Sequence, residues 1–278
     1  MSELSVRDFY DDLARDYHLM FRDWDASMAY QAEVLGGLLR ESLGAGPHSV
    51  LDCSCGIGTQ AIGLALAGHQ VIGSDLSPVA AARAAAEAAV RGSRLPAAAA
   101  DMRQLPFKDT SFDVVLCADN SLAHLLSGQD LRAALLGMRR VLRDDGLLMI
   151  TVRAYDEARR TRPTTTPPQV TETRDGQAIT FQLWRWHEDG ERYDQEHFQL
   201  IPAGNTWDVR VRRSTCWALT TPQLTEFVAE AGFTDITWHS PASSGYYQPV
   251  LTAARSLGAV ARTSAPPCPA FRSSMPNR

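Results

Sequence analysis

Residues 50–59 read Val50-Leu51-Asp52-Cys53-Ser54-Cys55-Gly56-Ile57-Gly58-Thr59. An apolar run ends in an acid, two glycines follow with one residue between them, and a second apolar stretch begins. This pattern predicts a short buried strand, Ser49 to Asp52, turning tightly into a helix from Thr59 to Leu66. Glycine adopts positive φ and lets the backbone approach a ligand closely. The helix N-terminus offers free N–H groups to an anion. The spacing is D-x-x-x-G-x-G and lacks the third glycine of the dinucleotide fingerprint, so an NAD or FAD site is not expected. Taken alone, the stretch also reads as an ordinary strand-to-helix turn.

The alternation continues outward. Gly68 closes the helix and Gln70 to Asp75 is the next strand. Ser77-Pro78 supplies an N-cap and a first helical position. Ala97 to Ala100 is a weak strand, alanine being a poor strand former. Phe112 to Cys117 is a strand, Leu131 to Leu142 a helix, and Asp145-Gly146 turns the chain into a strand over Leu147 to Val152. On the N-terminal side, residues 6–43 read as helical, with Phe9, Leu13, Tyr17 and Met20 at helical spacing and a second helix from Ser27 to Leu43. After Tyr155 comes a Thr/Pro loop, Arg162 to Pro168. Three strand-like runs follow: Ala178 to His187, Arg192 to Ile201 and Asp208 to Leu219, the first two joined at Asp189-Gly190. A helix from Thr221 to Ala231, a strand from Phe233 to His239 and a last strand from Tyr246 to Ala254 complete the pattern. The predicted fold class is α/β: a doubly wound, mostly parallel seven-stranded sheet, Rossmann-like. Residues 1–44 form an N-terminal helical lid, 45–157 and 220–254 the core, and 158–219 an antiparallel insert covering the substrate. Residues 255–278, rich in Pro, Ser and Arg and free of acids, are expected to be disordered.

Composition narrows the function. With 278 residues and 45% apolar content the chain is long and apolar enough for a sizeable core. Five cysteines in that length do not make a disulfide scaffold; Cys53 and Cys55 are expected to be buried thiols, and no metal site is expected. A net charge of −5 argues against a general nucleic-acid binder. No signal peptide or membrane span is expected, so the reading is a cytoplasmic protein. A homo-oligomer is left open.

Two acids follow the glycine turn. Asp75 ends the second strand, where doubly wound folds place a carboxylate for ribose hydroxyls. Asp101, after the third strand, is placed to accept from an exocyclic amine, and Met102 to cover a purine face.

In this order the motifs resemble the class I S-adenosylmethionine-dependent methyltransferases, over residues 48–154 and the elements after residue 220. The resemblance implies S-adenosylmethionine as cofactor. It sets the turn of Asp52, Ser54, Gly56 and Gly58 against the methionine part, Asp75 with Leu76 against the ribose, and Asp101 with Met102 against the adenine. Phe112-Asp113-Val114-Val115 is similar to the family's fourth-strand motif. Leu142 to Leu148 is similar to L-x-P-G-G-x-L, with Asp144 and Asp145 as departures. Three further stretches resemble the glycine/sarcosine N-methyltransferases. They are Phe9 to His18 with Asp23-Trp24-Asp25, the segment Asp119-Asn120-Ser121-Leu122-Ala123-His124-Leu125 (G-N-S-F-A-H-L), and Arg153-Ala154-Tyr155-Asp156 (R-N-Y-D). Asp119 replaces a Gly and Ala154 an Asn. The resemblance implies that Arg153 holds a substrate carboxylate and that Asn120 lies between cofactor and substrate.

The expected reaction is methyl transfer to a small-molecule acceptor, most naturally an amine nitrogen on a carboxylate-bearing compound. An amine must lose its proton before attack, and His124 and Glu196 are candidate bases. Tyr17 and Trp24 either pack in the core or lie over the cofactor, where a ring faces a sulfonium by cation–π attraction. Tyr10 shares that choice. Tyr246 is a candidate at the acceptor rim; Tyr193 and His197 are further candidate lining residues in the insert. O-methylation of a natural-product hydroxyl and a non-catalytic cofactor-binding module are the alternatives.

Overall fold

The computed structural model of the chain describes residues 5–255. Helix α1 (Val6–Leu13) starts at a reciprocal cap: the Ser5 hydroxyl accepts from the Asp8 N–H, and the Asp8 carboxylate accepts from the Ser5 N–H. The helical stretch expected over 6–43 is interrupted by a 3-10 turn at Tyr17–Met20 and an extended Phe21. Helix α2 (Trp24–Leu43) begins before the expected Ser27, because Asp23 accepts from the Ala26 N–H and caps it there.

The alternation then runs β1 (Ser49–Asp52), α3 (Thr59–Leu66), β2 (Gln70–Asp75), α4 (Pro78–Val90), β3 (Ala97–Ala99), β4 (Phe112–Cys117), α5 (Gly128–Val141) and β5 (Leu142–Thr151). The turn expected at Asp145-Gly146 is a bulge inside β5. Phe112 pairs with Leu142 but Val114 with Leu147, so residues 143–146 loop out of the ladder. A short helix, α6 (Tyr155–Thr161), follows where none was expected. The insert then holds four strands: β6 (Gln169–Thr173), β7 (Gly176–Trp186), β8 (Arg192–Ala203) and β9 (Thr206–Trp217). The chain returns through α7 (Thr221–Glu230), β10 (Thr234–His239), α8 (Pro241–Ser244) and β11 (Val250–Ala254). The disordered tail expected from residue 255 lies outside the described residues except for Arg255. That residue exchanges backbone hydrogen bonds with Asp145 and Gly146 and so extends the ladder.

The main sheet has the order β10-β11-β5-β4-β1-β2-β3. β1 to β5 are parallel, and β11 is antiparallel to both neighbours. The chain leaves β1 toward β2 and β3, then crosses back to β4 and β5, so the order reverses between β1 and β4. Open α/β sheets bind ligands outside the carboxyl ends of the strands at such a point. Alternate side chains enter opposite cores. Val114 and Leu116 pack with α2, α3 and α4, while Val115 and Cys117 pack with α5 and α7. The insert forms a separate antiparallel sheet, β6-β7-β8-β9. Buried Tyr155, Trp184, Tyr193 and Cys216 join it to the rest. No helix among the described residues is long and apolar enough to cross a membrane.

Candidate active site

Two cavities meet at the carboxyl ends of the strands. The first, of about 360 Å³, lies over the glycine turn and is lined by Ser54, Gly56, Asp75, Leu76, Asp101 and Met102 among others. The second, of about 450 Å³, lies between the main sheet, the N-terminal segment and the insert. It includes Asn120, Arg153, Gln182, Gln195, His197 and Tyr247. Tyr10, Tyr17, Asp119 and His124 line both and form the common wall. The exposed lining residues differ: Ser5, Arg7 and Arg103 at the first cavity, Arg22, Tyr30 and Tyr247 at the second.

The glycine turn shapes the first cavity. Gly56 has φ +51°, and a Cβ there would meet the Tyr17 ring at 3.4 Å, between the turn and the common wall. Gly58 lines neither cavity; it has φ +97°, and a Cβ would come within 2.8 Å of Ile62. The Gly56 N–H donates to Asp75 Oδ2 at 2.8 Å and the Ser77 N–H to Oδ1 at 2.9 Å. Burial pushes the Asp75 carboxyl up, and these two N–H groups hold it back. Each carboxylate oxygen keeps lone-pair capacity for a further donor.

Asp52, by contrast, lines neither cavity. It is fully buried, Oδ1 accepts from the Ser54 N–H at 3.3 Å, and Oδ2 has no partner. Burial pushes its carboxyl up to about 7. Asp101 does face the cavity, but Arg103 grips both its oxygens, at 2.6 Å from Nη2 to Oδ2 and 3.0 Å from Nε to Oδ1. Arg103 also reaches Asp130 at 2.8 Å. That pairing keeps the Asp101 carboxyl low.

In the second cavity the Arg153 guanidinium stacks on Trp184, 4.7 Å from the ring centroid, and donates to Gln182 Oε1 at 3.1 Å. No carboxylate of the described residues lies within ion-pair distance of it. Asn120 is fixed from both ends: Nδ2 donates to the Tyr155 hydroxyl at 2.8 Å, and Oδ1 accepts from the Arg153 N–H at 3.2 Å. The Tyr155 hydroxyl in turn meets that of buried Tyr193 at 2.9 Å.

At the common wall, His124 Nε2 lies 2.8 Å from the Tyr10 hydroxyl. Burial and the Arg153 charge push the imidazole down to about 4, so it is neutral at physiological pH and a weak base. Asp119 shows the opposite tendency. Burial raises its carboxyl, while hydrogen bonds from Tyr247 and the Gln60 amide and the Arg153 charge oppose the rise. Among the described residues it is the acid that lines both cavities.

Besides Asp52 and Gly58, three expected site residues line neither cavity. Trp24 is a packing residue: its Nε1 donates to Thr59 Oγ1 at 2.9 Å, and Arg91 and Arg83 lie over its ring at 4.8 and 5.4 Å. Glu196 projects from the outer face of β8 and pairs with Arg213 at 2.7 Å, because side chains alternate and its neighbours Gln195 and His197 take the inner face. Tyr246 is buried, its hydroxyl donating to Gln31 Oε1 at 2.6 Å; Tyr247 is the aromatic residue on the cavity. Sequence reasoning missed Asp119, Gln182 and Tyr247. For Asp119 a signal existed. It has φ +59°, the backbone region suited to the Gly of G-N-S-F-A-H-L.

Residues 50–146 match the protein family described as a methyltransferase domain. Among curated proteins, the glycine/sarcosine N-methyltransferase of Parasynechococcus marenigrum (strain WH8102) is 37% identical over 136 residues, 48% of this chain and 47% of that protein. The glycine/sarcosine N-methyltransferase of Aphanothece halophytica is 33% identical over 135 residues, 48% of this chain and 50% of that protein. The chain spans about half the length of these curated relatives. Among solved structures, a sugar N-methyltransferase from Streptoalloteichus sp ATCC 53650 superposes with a TM-score of 0.71 at 20% identity, covering 92% of this chain and 96% of that one. An S-adenosylmethionine-bound amino pentose methyltransferase from Micromonospora echinaspora gives 0.68 at 17% identity, covering 92% and 100%. These structural likenesses show the shared fold.

Proposed function

The chain carries a class I, S-adenosylmethionine-dependent methyltransferase domain, and from that premise we propose that the protein methylates an amine nitrogen of a small, carboxylate-bearing acceptor. The observation that supports this most is Arg153. It offers a guanidinium with no acidic partner among the described residues, in a cavity that shares a wall with the one over the glycine turn. A planar guanidinium suits a carboxylate.

The first cavity fits the cofactor. Asp75 keeps acceptor capacity for ribose hydroxyls, and Gly56 leaves open the space that a Cβ would fill beside Tyr17. Asp101 would serve an adenine amine only if Arg103 yields one of its contacts. When bound, S-adenosylmethionine supplies an electrophilic methyl on a sulfonium, for in-line displacement by the acceptor nitrogen.

The remaining work is the chain's own. Arg153 orients the acceptor from one end, and orientation contributes about 7–11 kcal/mol in well-aligned systems. The acceptor nitrogen must shed its proton. His124, with a pKa of about 4, does not hold such a proton at neutral pH, so Asp119 is the better receiving group.

The size of the acceptor cavity favours a second reading within the same chemistry. About 450 Å³ falls in the range of pockets that enclose drug-sized ligands, so an amine on a larger polar scaffold, such as an amino sugar, is the alternative to a simple amino acid.

Two measurements decide. Calorimetry should detect S-adenosylmethionine, with Asp75→Ala weakening binding about 30-fold or more, the loss expected from removing charge-assisted hydrogen bonds. No binding by the unmodified protein sinks the reading. Mass spectrometry over amino acids, amino sugars, amines and phenols then identifies the acceptor. Methylated hydroxyls in place of amines would transfer the function to O-methylation. An acceptor KM unchanged by Arg153→Ala would remove the carboxylate clamp.

A further inference from the structure

The insert turns a polar face toward the second cavity. Its inward side chains include Gln182 on β7, Gln195, His197 and Gln199 on β8, and Arg212 on β9, all of them buried. The glutamines and the arginine have protein partners. Gln182 Oε1 accepts from Arg153 at 3.1 Å and from Trp184 Nε1 at 3.0 Å. Gln195 donates to Ser214 at 2.8 Å and Gln199 to the Asp16 carbonyl at 3.1 Å. Arg212 pairs with Asp12 at 2.7 Å. His197 breaks this pattern: it is 2% exposed, and neither ring nitrogen has a partner. Buried polar groups are rarely left so, because the loss of hydration is then uncompensated.

The strand register says what lies beside it. His197 is the direct cross-strand partner of Gln182, the amide that holds Arg153. Side chains so paired share one face of the sheet with Cβ atoms about 4.5–5.5 Å apart. Arg153, Gln182 and His197 line the same cavity. The local charge favours an anion there, since Arg212 is neutralised by Asp12 and Asp16 while Arg153 is not. Burial and those two arginines push the imidazole down to about 4, so it stays neutral and keeps one N–H to donate.

We infer that His197 is an acceptor-binding residue, donating its N–H to the same carboxylate that Arg153 holds, so that each takes one oxygen. The acceptor's opposite end is then directed toward Asp119 and the common wall. This inference rests on the carboxylate-bearing amine proposed above and adds a recognition element to it.

The test uses the full chain saturated with S-adenosylhomocysteine, with acetate as the carboxylate probe and methylammonium as the control. Acetate affinity is expected to fall about tenfold in His197→Leu, the cost of one hydrogen bond to a charged group, and less in His197→Asn, which keeps an N–H donor. Methylammonium affinity is expected to be the same in all forms. Unchanged S-adenosylhomocysteine binding in both variants reports that the fold is intact. If Arg153→Ala weakens acetate and His197→Leu does not, His197 holds only water. The inference then fails while the carboxylate clamp stands. If the unmodified protein does not bind acetate, the carboxylate reading itself fails and takes the inference with it.

Discussion

Replacing Asp52 by Asn tests the electrostatics beneath the glycine turn. The Asp52 carboxyl is fully buried, has one hydrogen bond at 3.3 Å, and leaves Oδ2 without a partner. Its pKa rises to about 7 in the folded chain from the ordinary value of 3.8. A raised carboxyl keeps its proton in the native state after the unfolded chain has lost it. The native state therefore loses stability as pH climbs through the window between these values, and the loss levels off above about 7. Linkage puts the change between pH 5 and pH 8 at roughly 3 kcal/mol. The amide of the Asp52→Asn variant does not titrate. Urea unfolding of both proteins without cofactor, at several pH values, gives the difference in stability, from which titrating groups that do not interact with Asp52 cancel. Asp52→Asn should gain about 3 kcal/mol on the unmodified protein from pH 5 to pH 8, whatever constant offset the amide introduces. A difference that stays flat across that range refutes the reasoning and means that Asp52 is solvated or paired.

Gly58→Ala should destabilise the fold by about 2–4 kcal/mol in denaturant titrations, from strain at φ +97° and crowding against Ile62; a smaller loss would show that the turn relaxes easily. Trp24→Phe should cost about 1–2 kcal/mol by loss of the Thr59 hydrogen bond and leave S-adenosylmethionine affinity within about twofold. A large drop in that affinity would return Trp24 to the cofactor site.

The main sheet was legible because buried parallel strands read as short apolar runs and their helices carry caps and closing glycines. Even the alanine strand was found, since the alternation required a partner beyond β2. The first strand of the insert was not. Its one aliphatic residue, Val170, is exposed, and its inward Thr171 donates to the Leu19 and Phe21 carbonyls. A sheet that buries polar side chains shows no apolar period. The same cause hid part of the site. Choosing His197 over Glu196 is a question of strand parity, which only the register with β7 answers. Residues next to strand ends, such as Asp75 and Arg153, needed no such information. Trp24 and Tyr17 share the N-terminal segment, yet one packs in the core and the other walls both cavities. Their spacing does not distinguish these outcomes.

The different exposed side chains of the two cavities bear on the order of events. Ser5, Arg7 and Arg103 border one, Arg22, Tyr30 and Tyr247 the other, and the shared lining residues lie where the two meet. If each exposed rim admits its own ligand, a spent cofactor can be exchanged while the acceptor stays, and neither ligand must enter first. Under the proposed chemistry, one nitrogen would then pass through successive rounds of methylation in a single residence. The ratio of singly to multiply methylated product early in the time course reports whether it does.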